Sequence, residues 1–118
     1  MQERALMQAK GLNGILQLFP DRIRILRPGL IASLYERDRP TDLLLGQIQK
    51  IEFKHTVGGL GGYIAFHDDE GREDFEDFCV SFLKLQEHSF EAIKKAIEEQ
   101  RAAILAEHAK NKVEILKD

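Results

Sequence analysis

The chain has 118 residues, 43% hydrophobic and 31% charged with three prolines, which fits one globular domain and excludes a disordered one. A net charge of −3 gives no general attraction to nucleic acid, and the single cysteine, Cys79, excludes an internal disulfide and a cysteine-built metal site. A reducing cytoplasm is then the simplest compartment.

No apolar run approaches the ~20 residues of a membrane helix. The opening MQERALMQAK mixes acid and base without an apolar stretch, so it does not read as a signal peptide. Charge is spread unevenly: residues 1–57 carry an excess of Lys and Arg, and residues 58–118 an excess of Asp and Glu. Such asymmetry marks a binding face or arises by chance.

Residues 1–10 are predicted as a short helical or frayed lead-in, with Ala5, Leu6 and Ala9 as a weak stripe ended by Gly11. Over 12–19, LNGILQLF puts Leu12, Leu16 and Leu18 on one parity, which predicts a strand. Pro20 and Asp21 supply a turn. RIRIL then alternates Arg22 and Arg24 against Ile23 and Ile25, a strand with one wet face. Residues 28–41 are ambiguous: Pro28-Gly29 breaks the strand, LIASLY fits a strand extension or a flap, and ERDRPT is a polar loop.

DLLLG at 42–46 reads as a short buried strand, and IQKIEFKH at 48–55 as the clearest strand, with Ile51 and Phe53 on one side. Four glycines, Gly58, Gly59, Gly61 and Gly62, bracket Leu60 and predict a turn. A strand GYIAFH follows, then an acidic loop around Gly71, then a strand at 78–84, FCVSFLK. There the period changes from two to about 3.6. Phe90, Ile93, Ile97 and Ile104 share one face of an amphipathic helix over 87–109, with Glu87, His88 or Ser89 as its cap. Residues 110–118 form a tail.

The expected fold is therefore mainly β with one C-terminal helix. Six to seven antiparallel strands form a barrel, a bent sheet or two packed layers, and the helix plugs an open end. The domain is expected over 11–109.

LF, a tight turn and DRIRILR, then QIQKIEFK, GGYIAFHDDEG and FCVSFLKLQEHSFEAIKKAIEEQ, together resemble bacterial pleckstrin-homology (PH)-like domains. The similarity is to the uncharacterised family often joined to a short SHOCT oligomerisation module. It covers about residues 11–100, and its motifs are structural. It implies the fold and a bacterial source, not a reaction. Residues 29–41 depart from it, and NKVEILKD is shorter than a SHOCT module.

No constellation of nucleophile, base or metal ligands is visible, so neither an enzyme nor a metal or cofactor is expected. The four histidines do not converge by sequence. The acidic loop lacks the ligand rhythm of a calcium-binding loop, and the glycine run lacks a phosphate-loop pattern. Cys79 has no cationic neighbour in sequence to activate it.

Two surfaces remain. Arg22 and Arg24, with Lys50 and Lys54, are the candidate residues for an anionic ligand such as a membrane headgroup; the alternative is a solvated strand face. The helix beyond the plug carries Ile104, Leu105, Val113 and Leu116 as candidate contacts. They either pack on residues 1–10 or meet another subunit or protein. The expected function is a non-catalytic module that self-associates or docks a protein partner. The alternative is a peripheral membrane module binding anionic lipid.

Overall fold

The computed structural model describes residues 4–27, 41–68 and 78–116, with the helix described by its backbone alone from 111 onward. The uncertain stretch 28–40 and most of the acidic loop lie outside the described residues.

Strands β1 (Met7–Lys10), β2 (Ile15–Leu18), β3 (Arg22–Leu26) and β4 (Thr41–Leu44) form one antiparallel sheet in chain order. A single 3-10 turn, Leu45–Gln47, leads to β5 (Ile48–Lys54), β6 (Gly62–Asp68) and β7 (Cys79–Phe82), a second antiparallel sheet in chain order. One helix, α1 (Lys84–Leu116), ends the chain's described part. The expected β-plus-C-terminal-helix architecture is present, as two sheets and not as a closed barrel.

Alternation explains the core. Leu16 and Leu18 on β2, Ile23 and Ile25 on β3, and Ile64 and Phe66 on β6 are all buried, as their parity requires. Val80 and Phe82 on β7 join them. Phe90, Ile93 and Ile97 of α1 are buried against this interior, and the rings of Phe82 and Phe90 stack with centroids 4.7 Å apart. The helix thus plugs the space between the sheets, which removes its apolar face from water.

Several expectations are corrected. Residues 7–10 are not helical: they form β1, paired in register with β2 from Met7↔Leu18 to Lys10↔Ile15. The intrinsic preferences of Met, Gln, Ala and Lys for helix lose to this pairing. Leu12 is not in the strand but in the β1–β2 turn, half exposed. The helix starts at Lys84, not 87, and continues to Leu116, beyond 109. Its first residue is preceded by Leu83, whose N–H donates to the Gln86 side chain at 2.9 Å. This is half of a capping box, with an apolar residue where Ser or Asp gives the usual signal.

The two sheets are joined at a corner. Leu12 N–H donates to the Ser81 carbonyl at 2.7 Å, and Ser81 N–H donates to Asn13 Oδ1 at 2.9 Å. Arg27 bridges the same corner through the carbonyls of Asn13 (2.8 Å) and Cys79 (2.7 Å). Gly11 permits this approach: a Cβ there would lie 2.4 Å from the Ser81 oxygen and 2.7 Å from Val80 Cγ1. At the far end, Val57 and Leu60 close a tip around Gly58 and Gly59, with Gly58 at φ 58°, where glycine is favoured.

Candidate interaction surface

β5 ends the second sheet, and among the described residues no strand pairs with it on the side away from β6. At its Ile48 end it meets α1. Arg101 Nε donates to the Ile48 carbonyl at 2.8 Å, so the helix reaches the strand's backbone directly. The preceding residue's side chain, Gln100 Nε2, donates to the Pro20 carbonyl at 2.9 Å and fixes α1 to the first sheet as well. Between strand and helix lies a shallow cleft of about 210 Å³ lined by Ile48, Gln49, Lys50, Ile51, Glu98 and Arg101. The register of β5 on β6 shifts between Ile48 and Lys50, a bulge that bends the strand at this cleft.

Chemically, the cleft is mainly polar, with Gln49 and charges of both signs from Lys50, Glu98 and Arg101 beside Ile48 and Ile51. A strand edge that no described strand pairs, beside polar and charged side chains, suits an extended peptide segment, although Arg101 already takes the Ile48 carbonyl. No nucleophile with an adjacent base lines it.

The candidate anionic-ligand residues are divided between sheets: Arg22 and Arg24 lie on β3, Lys50 and Lys54 on β5. The arginines are already opposed by carboxylates. Arg24 makes a two-pronged contact with Asp42 at 2.7 and 3.1 Å, set by the direct pairing Arg24↔Asp42 across β3 and β4. Arg22 Nη1 lies 2.7 Å from Asp21 and its Nε 3.6 Å from Asp42. Both guanidinium groups also stand over the ring of Phe19, at 4.4 and 5.1 Å. Of the pair, Asp42 had no signal in the sequence, because its strand register was unknown.

Of the candidate helix contacts, Ile104 packs against the domain's own core, so it is not an unpartnered contact. Leu105 is 41% exposed and faces outward. Val113 and Leu116 lie on α1, and their side chains are outside the described residues.

Two histidine clusters escaped sequence reading. On β5 and β6, Tyr63 donates its hydroxyl to Glu52, and His67 Nε2 lies 3.3 Å from the same carboxyl group. The Tyr63 hydrogen bond holds Glu52 below its ordinary range, against desolvation, while His67 and Lys50 add to the lowering. The same bond raises Tyr63. Where β5 runs out, His55 Nδ1 lies 3.5 Å from both Glu87 and Glu91 on α1. Thr56 donates its N–H to Glu87 at 2.7 Å, the main reason that Glu87 stays ionised below its ordinary range. Cross-strand neighbours and strand-to-helix neighbours depend on register and packing, which periodicity does not give.

Cys79 is buried. No described helix is long and apolar enough to cross a membrane. Neither a family model nor a curated protein matches the chain.

Proposed function

We propose that the protein is a non-catalytic PH-like interaction module that self-associates or docks a protein partner along β5 and α1. The chain order of two antiparallel sheets, four strands and then three, followed by a plugging helix, supports the PH-like reading. The observation that carries the functional reading is the cleft beside the β5 edge that no described strand pairs, lined by Ile48, Ile51 and four polar residues. An added strand there gains backbone hydrogen bonds, and its side chains sample the charged rim. The exposed stretch of α1 around Leu105 extends the same surface. The anionic-lipid alternative has less support, since Asp21 and Asp42 already oppose the arginines it needs.

The test is molar mass by light scattering from dilute to concentrated protein, on the wild type and Leu105→Asp. Leu105 is chosen because it is exposed, whereas a charge at Ile104 would disturb the fold itself. Self-association gives a mass that rises above 13.5 kDa with concentration and falls back in the variant. A monomer throughout removes self-association and leaves a different protein as partner. A monomer that instead sediments with anionic vesicles in a salt-sensitive way moves the function to the membrane surface.

A further inference from the structure

The junction of β5 and α1 holds a side-chain set that the interaction reading does not use. His55 follows the last residue of β5. Glu87 and Glu91 are one helical turn apart at the start of α1, so both point to the same side. One ligand atom from each of the three lies within 4.8 Å of the others. We propose that His55, Glu87 and Glu91 form a binding site for a divalent transition-metal ion of the zinc type, tying the end of β5 to the first turns of α1.

Four observations carry this. First, His55 Nδ1 is 3.5 Å from a carboxylate oxygen of each glutamate. That is longer than the usual ~2.7–3.2 Å of a hydrogen bond. For these two pairs it is close to the spacing of neighbouring ligands around a tetrahedral ion with bonds of ~2.0–2.2 Å, about 3.3–3.6 Å, and all three ligand atoms fall within 4.8 Å of one another.

Second, two of the three ligands are held in place. Thr56 gives Glu87 Oε1, the oxygen that faces the His55 ring, both its N–H at 2.7 Å and its hydroxyl at 3.2 Å, which fixes this carboxylate beside the ring. The His55 ring packs edge-on against Phe53, with centroids 4.9 Å apart, which limits its rotation.

Third, the ligand chemistry selects the ion. One imidazole and two carboxylates suit zinc and its transition-metal neighbours, whereas magnesium and calcium take oxygen alone. Fourth, the His55 side chain is 66% exposed, so an ion can enter and keep water in its remaining position. Three protein ligands with an open position differ from the closed four-ligand set of a purely structural zinc site.

An ion here takes the place of the direct contacts between His55 and the two glutamates. It offsets the repulsion of two carboxylates one turn apart and fixes the helix start to the strand end. The site is separate from the cleft at Ile48 and Arg101, so its failure would leave the proposed docking surface standing.

The experiment is calorimetric titration of the untagged full chain with zinc chloride, with calcium and magnesium chloride as comparison, followed by melting curves at saturating ion. The variants are His55→Ala and Glu91→Gln; both positions are exposed, and the second keeps the side chain's size. Glu87 is spared because Thr56 depends on it. His67→Ala controls for the other histidine cluster. One zinc per chain is expected in the wild type and in His67→Ala, with a raised melting temperature. In His55→Ala and Glu91→Gln, affinity should fall by at least about tenfold, and calcium and magnesium should give no comparable heat. Absence of one-to-one zinc binding in the wild type, or unchanged affinity in either site variant, overturns the site.

Discussion

At the scale of single residues, the protein's polar groups cancel one another across strands. Arg24 meets Asp42, Gln17 meets Gln8 and Tyr63 meets Glu52, each pair placed by strand register and not by sequence proximity. The Tyr63–Glu52 bond has a pH signature. Tyr63 is raised above 10.0 because its hydroxyl donates to Glu52, so its contribution is complete below pH 10.0 and lost as pH rises through the raised value. Glu52 is lowered beneath 4.5, so its share is present above pH 4.5 and lost as pH falls through the lowered value. Tyr63→Phe should therefore lower the melting temperature between pH 4.5 and 10.0, with the gap closing on both sides. A gap independent of pH would mean that the hydroxyl stabilises by packing alone.

At the scale of elements, legibility followed the physics that periodicity reports. The alternation of RIRIL, IQKIEFK and GYIAFHD places β3, β5 and β6 where they are found, and the 3.6-residue rhythm of Phe90, Ile93 and Ile97 gives the plug. β1 was illegible because MQAK has no strand preference; it is a strand only because β2 offers it an edge. The helix start was illegible because its cap is a glutamine acting on a leucine N–H. The corner between the sheets was also hidden, since it rests on side chains of Asn13 and Arg27 reaching across the chain. The role of Gly11 in that corner can be measured. Gly11→Ala must displace both the Ser81 carbonyl and the Val80 side chain, or shift its own backbone away from them, and overpacking of this kind costs about 1–3 kcal/mol. Denaturant unfolding monitored by circular dichroism should show that loss with an unchanged slope. A variant as stable as the wild type would show that the corner yields without cost.

At the scale of the whole molecule, a compact two-sheet body carries a helix longer than that body needs. The principal extents are 57 × 32 × 32 Å, and a helix of 33 residues is about 50 Å long. The interior uses α1 as far as Ile104, while residues 105–110 are exposed. The candidate site was legible to the same depth: the helix surface near Leu105 was visible as apolar residues beyond the plug, but the cleft needed the placement of β5 against Arg101. Truncation divides these roles. Ending the chain at residue 106 removes no described core contact, so stability should change by less than about 1 kcal/mol, at most about 4–8 °C in melting temperature for a domain of this size. Ending it at residue 98 also removes Gln100, Arg101 and Ile104, hence the hydrogen bonds to Pro20 and Ile48 and one wall of the cleft. That chain should melt well below the first, and its β5 amides should exchange faster with solvent. If both truncations melt alike, α1 is held by Phe90, Ile93 and Ile97 alone. The contacts of Gln100 and Arg101 then serve to shape the cleft and not to stabilise the fold.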